Sequence, residues 1–276
     1  MKCINKWICL SLLIAVSCVS GCGKTSAAIE QPYDVYATAA DFGLSSNGTA
    51  EAKSYFASDL CVSEDVAIGT DSTDSQVAEG AGTFNLETNT VVYAKNLYER
   101  LYPASTTKIL TAYIALKYCD DLDAMVTVSE NAVNQASDSS VCNLKAGDVI
   151  RLRDLLYGLM LRSGNDAAVA IAEYISGDVD SFAALMNQEA AAMGATRSHF
   201  VNPNGLPDEN HYTCVYDMYL IFSNAIKNDT FVSIIGTTSY DVTYTDASGE
   251  AVTHTWENTN QYLTGNATTP DGFQIV

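Results

Sequence analysis

The stretch Tyr102-Pro103-Ala104-Ser105-Thr106-Thr107-Lys108-Ile109-Leu110-Thr111-Ala112-Tyr113-Ile114-Ala115-Leu116-Lys117-Tyr118 has the spacing of a helix buried on one face. Its apolar residues fall at Ile109, Leu110, Tyr113, Ile114 and Leu116, the 3.6-residue period of a helix. Pro103 stands just ahead, where a missing N–H is tolerated. The pattern predicts a helix over 105–118 with Ser105 in its first turn. Residues three apart on a helix share a face, so Ser105 and Lys108 point at one spot. The unpaired N–H groups and positive dipole end there favour developing negative charge.

That pair has a chemical meaning. A serine hydroxyl is a weak nucleophile and needs a base. Lysine serves as one only when neutral, and neutralising a free lysine of pKa ~10.4 at pH 7 costs roughly 4–5 kcal/mol. Burial lowers a lysine by up to ~3–5 units, enough to cover that cost. Ile109, Leu110 and Ile114 supply the apolar surroundings. Ser105–Lys108 is the only Ser-x-x-Lys in the chain. By itself the motif is also compatible with a helix start carrying an exposed lysine.

Arg162-Ser163-Gly164-Asn165-Asp166-Ala167-Ala168 is the second segment with chemical content. Ser-x-Asn recurs at Ser45–Asn47 and Ser129–Asn131, so the tripeptide is weak alone. Ser163 or Asn165 could cap a helix, with Asp166 in its first turn. Such a cap would also fix both side chains at a rigid corner between two apolar helices.

Outward from these segments, strands are expected over 77–86 and 90–94 around a Glu87-Thr88-Asn89 turn. Helices are expected over 152–161, 166–175, 180–193 and 214–226, punctuated by Gly164, Gly177, Gly194 and Gly205. Beyond Phe231, segments 240–244 and 251–256 are rich in Val, Thr and Tyr and flank Asp246-Ala247-Ser248-Gly249, a hairpin signal. Strands, then helices, then strands predict an α+β fold: an antiparallel sheet domain with an inserted helical lobe.

With 276 residues, 47% of them hydrophobic, the chain can bury one sizeable core. It has 33 acidic and 14 basic residues, a net charge of −19. Such a surface repels phosphates, which argues against nucleic acid as a partner. Lys2 and Lys6, followed by the apolar run 7–19, read as an export signal too short for a comfortable membrane span. Val19-Ser20-Gly21-Cys22 resembles a lipobox, with Cys22 as the lipidated residue; cleavage after Ser26-Ala27-Ala28 is the alternative. Residues 1–21 are thus expected to be a signal, 22–76 a tether with a short ordered piece near 55–66, and 77–276 the folded domain.

Beyond Cys22 the chain keeps Cys61, Cys119, Cys142 and Cys214, which could form disulfides in any of three pairings or remain as buried thiols. No Cys-x-x-Cys, His-Glu-x-x-His or Gly-x-Ser-x-Gly occurs, so no metal or other cofactor is expected. His199, His211 and His254 suit structural or surface roles, although His211 could lie near a cleft.

Several segments taken together are more specific than either short motif. Residues 102–112 resemble the nucleophile motif of D-alanyl-D-alanine carboxypeptidases, the low-molecular-weight penicillin-binding proteins. Asp154-Leu155-Leu156 leading to Ser163-Gly164-Asn165-Asp166-Ala167-Ala168 is similar to their second motif. Phe182, Met186-Asn187, Gly194-Ala195-Thr196, Phe200-Val201-Asn202-Pro203-Asn204-Gly205-Leu206, His211-Tyr212-Thr213 and Tyr216-Asp217-Met218 follow in that family's order.

The resemblance implies a three-layer α/β/α-like, β-lactamase/transpeptidase-like fold. It also implies that Ser105 attacks the carbonyl between two terminal D-alanines of a peptidoglycan stem peptide. Lys108 would take the proton, Ser163 would relay one to the leaving D-alanine, and Asn165 would hold the peptide backbone. β-Lactam antibiotics would acylate Ser105 in the same way, and its N–H would form half of an oxyanion hole.

The chain departs from the family at the third motif, Lys-Thr-Gly, which is absent. Asp271-Gly272-Phe273 resembles its approach, so the motif is expected beyond Val276. Two alternatives stay open. A class A-type β-lactamase would share Ser-x-x-Lys, but such enzymes carry Ser-Asp-Asn and Glu-x-x-Leu-Asn, and neither occurs here. A non-catalytic peptidoglycan-binding pseudoenzyme would suit the missing third motif.

Overall fold

The computed structural model describes residues 57–69 and 78–269. Cys22, the signal segment and Asp271-Gly272-Phe273 lie outside them. A first hairpin pairs β1 (Ala81–Asn85) with β2 (Thr90–Lys95). Asn85 Oδ1 accepts the Glu87 and Thr88 N–H groups at 2.9 and 3.0 Å, and Asn89 turns the chain at φ 52°. Asparagine suits both tasks, because its short amide bonds to the backbone and it tolerates the left-handed region.

A 3-10 turn (Ala104–Thr106) leads into α1 (Thr107–Tyr118). Next come β3 (Met125–Thr127), α2 (Glu130–Val133) and β4 (Val149–Arg151), then the helices α3 (Leu152–Leu161), α4 (Asn165–Ser176) and α5 (Val179–Ala192). Helices α6 (Val215–Ala225) and α7 (Asp229–Ile235) precede β5 (Ser239–Thr245) and β6 (Ala251–Glu257). The second sheet runs β3-β4-β5-β6, antiparallel throughout. Strands thus enclose the helices in chain order, as expected of an α+β fold. The short β3, β4 and α2, and the seven-residue α7, were not anticipated, because elements this brief show no period to read.

Two features differ from expectation. Ser105 lies in the 3-10 turn, two residues ahead of α1 rather than inside it; Ala104 has φ +47°, which breaks helical continuity there. The described residues 57–69, where a short ordered piece near 55–66 was expected, also pack ahead of residue 77. Cys61 is fully buried against Tyr219 and Leu220, and its N–H donates to the Tyr219 hydroxyl at 2.8 Å. Ile68 bridges to Ala94. Short apolar islands in a polar segment gave no periodic signal for this packing.

Helix α1 is enclosed on several sides, packing against α3, α4, α5, α6 and α7. Ala112 and Ala115 join one apolar cluster with Leu155, Leu156, Ala168 and Ile171. Leu110 and Ile114 join another with Phe182, Met186 and Phe200. A helix buried this fully carries Lys108 inward with it. All four cysteines of the described residues are free thiols.

The second sheet is fastened to α3 through Asp154, which is fully buried. Arg151 donates to it twice, at 2.8 and 3.0 Å, and the Tyr240 hydroxyl donates at 2.6 Å while its ring stacks on Tyr157. Hydrogen bonds to a charged group contribute ~1.5–3 kcal/mol. Asp154→Ala is therefore expected to destabilise the fold by about 2–3 kcal/mol, read as a lowered urea midpoint.

Candidate active site

Lys108 is 2% exposed, and its ammonium has acceptors from three separate segments. Nζ donates to Ser105 Oγ at 3.2 Å, Asn165 Oδ1 at 2.8 Å and the Asn204 carbonyl at 2.7 Å. The first contact is the predicted i, i+3 pairing, preserved although Ser105 precedes the α-helix. Ser105 itself is exposed, whereas Lys108 is buried. The structure thus brings Ser105, Lys108 and Asn165 together.

Asn165 opens α4, its N–H bonded to the Ser140 carbonyl at 2.8 Å. The expected capping role does not hold: Gly164 occupies the N-cap, and neither Ser163 nor Asn165 caps with its side chain. The reason is that Asn165 spends its Oδ1 on Lys108, while Ser163 takes a left-handed φ of 55° in the turn between α3 and α4. A serine persists in that region only where the surrounding structure over-determines it. Ser163 Oγ is buried and has no hydrogen-bond partner among the described residues. It lies two residues from the Lys108 ligand Asn165, with no direct bond to Lys108.

The corner is backed by the segment 140–144. Asp166 accepts the N–H groups of Cys142 at 2.9 and 3.0 Å, Leu144 at 3.1 Å and Ala167 at 2.9 Å. The Cys142 thiol fills the space behind Gly164, where an added Cβ would come within 2.4 Å of the sulfur. Burial and the neighbouring Asp166 push that thiol well above its ordinary range, so it packs as a neutral group.

The fourth wall is the segment 200–206. Asn187 clamps Phe200 through both backbone groups at 2.8 Å, and Thr111 donates to the Pro203 carbonyl at 2.7 Å. Asn202 folds the loop by accepting the Gly205 N–H at 2.7 Å. Gly205, at φ +88°, lies so close to the Ala104–Thr106 turn that a Cβ would fall 1.8 Å from the Ala104 carbonyl oxygen. Only glycine fits there. His211, 1% exposed, bonds Thr107 Oγ1 through Nε2 at 2.9 Å and accepts the Val201 N–H on Nδ1 at 3.1 Å. Burial lowers it to about 4, so the ring is neutral.

The Asn204 carbonyl and the His211–Thr107 bond escaped sequence reasoning. A backbone acceptor has no residue signature; for His211 the available signal was its place in the family order.

Burial lowers Lys108 to about 8, with Asp166 pulling the other way. A useful fraction of neutral amine is therefore present near neutral pH, which suits a general base. The unfolded chain, with lysine near ~10.4, binds more protons than the fold between the two values, so stability rises across that window. Lys108→Met lacks this dependence. Between about pH 7 and about pH 10.5, the wild-type fold is expected to gain ~3 kcal/mol on the variant, measured by urea unfolding at both ends.

A family model for D-alanyl-D-alanine carboxypeptidases matches residues 69–274. The D-alanyl-D-alanine carboxypeptidase of Streptomyces sp. (strain K15) is 37% identical over 196 residues, 67% of this chain and 67% of that one. DacF of Bacillus subtilis (strain 168), a D-alanyl-D-alanine carboxypeptidase, is 35% identical over 164 residues, 58% of this chain and 42% of the relative. The match thus spans less than half of the Bacillus protein and two thirds of the Streptomyces one. The crystal structure of the Streptomyces K15 DD-transpeptidase superposes with a TM-score of 0.63 at 35% identity, covering 67% of this chain and 74% of that one. For DacD from Francisella tularensis the TM-score is 0.62 at 27% identity, covering 73% and 60%. A buried lysine between the Ser105 turn and a Ser-x-Asn corner, together with these matches, places the chain in the D-alanyl-D-alanine carboxypeptidase family.

Proposed function

We propose that this protein is a serine DD-peptidase that trims peptidoglycan stem peptides ending in D-Ala-D-Ala through an acyl-enzyme on Ser105. The observation that carries the reading is the buried Lys108 amine, held 3.2 Å from an exposed Ser105 hydroxyl and 2.8 Å from Asn165. In this reading Ser105 Oγ bonds to the penultimate D-alanine carbonyl carbon as its proton passes to Lys108. The tetrahedral adduct then expels the terminal D-alanine, whose amine takes that proton through Ser163. The unpartnered Ser163 Oγ suits the relay, since a hydroxyl both accepts and donates. Asn165, whose Oδ1 holds Lys108, would bind the peptide backbone through its Nδ2. Water hydrolyses the ester with Lys108 again as base.

The same geometry would open a β-lactam ring and leave the drug on Ser105. Such chemistry belongs outside the cytoplasm, on the cell wall. In this reading the export signal delivers the protein there and a lipid on Cys22 tethers it to the outer face of the cytoplasmic membrane. No helix among the described residues is long and apolar enough to cross a membrane.

Fluorescent penicillin tests the reading on the full-length natural protein. Ser105 is expected to be labelled and Ser105→Ala not. Lys108→Ala is expected to slow labelling by ~10²–10⁴-fold, the range for loss of a positioned base. The wild-type rate is expected to climb with pH and level off above about 8, as Lys108 loses its proton. Rapid turnover of a chromogenic cephalosporin would point to a β-lactamase, and absence of Ser105-dependent label to a binding pseudoenzyme.

A further inference from the structure

The Asn204 carbonyl is the shortest of the three Lys108 contacts, at 2.7 Å, yet it comes from a loop distant in sequence. What holds that loop against α1 is therefore part of what sets the base. Thr111 ties Pro203 from the side of α1 one turn beyond Thr107. On the other side stands His211. The Val201 N–H can only donate, so Nδ1 must be the bare nitrogen and Nε2 must carry the proton. That proton is then available to Thr107 Oγ1, next to Lys108 in the chain. Phe200 closes the ring's edge in a T-shaped contact at 5.5 Å. The neutral imidazole is thus a strut with one end on the first residue of α1 and the other on the start of the 201–206 loop.

We propose that His211 is a positioning residue for the acylation step, holding the Asn204 carbonyl and the first turn of α1 in the register that places Lys108 against Ser105. It touches neither substrate nor reacting atoms in this role. Its action passes through Thr107 on one side and Val201 on the other. Both ring nitrogens are bonded inside a buried site where an unmade bond is costly, so losing the ring would free both Thr107 and Val201. The inference rests on the acyl-enzyme reading of Ser105.

The test uses the full-length natural protein, fluorescent-penicillin labelling rates and melting temperatures for His211→Ala, His211→Gln, Thr107→Val and the double variant His211→Ala/Thr107→Val. Both His211→Ala and Thr107→Val are expected to slow labelling at least about tenfold, equivalent to about 1.4 kcal/mol. The double variant should be no slower than the worse single one by more than about twofold, because both remove the same bond. Glutamine can place an amide N–H near the position of Nε2, so His211→Gln is expected to recover most of the rate. Variants that melt lower but label at the wild-type rate would make His211 a core filler and overturn the proposal. Multiplicative losses in the double variant would do the same. If His211→Ala does not fold, Thr107→Val and His211→Gln still decide: a normal rate for Thr107→Val overturns the proposal. Absence of label on wild type removes the acyl-enzyme reading itself, and the proposal with it, whereas wild-type labelling with unaffected variants rejects the proposal alone.

Discussion

The burial of one amine constrains this structure more than any other contact. Lys108 Nζ is removed from water, which favours its neutral form and makes it a base. A nitrogen so placed still needs acceptors, because an unpaired buried polar group is costly. As an ammonium it finds them on Ser105, Asn165 and Asn204, which belong to three different parts of the chain; the neutral amine keeps two protons to donate and turns its lone pair to the remaining contact, the Ser105 hydroxyl. Each of those parts must therefore be placed to within hydrogen-bond tolerance, and much of the surrounding packing serves that end.

The placement is achieved by backing each wall with groups that leave little slack. Behind Asn165, the Asp166 carboxylate gathers backbone N–H groups from the 142–144 segment, and Gly164 admits the Cys142 sulfur. Behind Asn204, Asn187 and Thr111 fix the backbone of Phe200 and Pro203, and Gly205 lets the loop touch the Ala104 carbonyl. Behind Lys108 itself, α1 passes between two apolar clusters, so the helix has little room to rotate. The left-handed residues Ala104 and Ser163 stand next to Ser105 and two residues before Asn165. Strain of that kind persists only where the surroundings over-determine it.

Legibility followed length and period. The long amphipathic helices were read almost to their ends: the expected 152–161 is α3, Leu152–Leu161, and the expected 180–193 is α5, Val179–Ala192. The hairpin at Asp246 was also plain, since its turn chemistry is local: the Asp246 side chain accepts the N–H groups of Ser248 and Glu250. Three-residue strands such as β3 and β4 were invisible, and the ordered piece expected near 55–66 carried no sign that Cys61 packs on Tyr219 and Leu220. The capping role foreseen for Ser163 or Asn165 failed because a tertiary partner, Lys108, outbid the local backbone for the Asn165 oxygen.

What the sequence determined by itself was local: a serine and a lysine one helical turn apart beside apolar residues, a Ser-x-Asn corner between two helices, and the order of strands and helices around them. Such features follow from backbone periodicity and from the side chains a residue can reach within its own turn. Only the tertiary structure decided that the lysine is desolvated, that its third acceptor is a backbone carbonyl, and that a histidine 104 positions away in sequence braces the residue beside it. Burial and long-range hydrogen bonding depend on which surfaces meet. A carbonyl oxygen, present at every residue, becomes distinctive only once a loop has been folded against its partner.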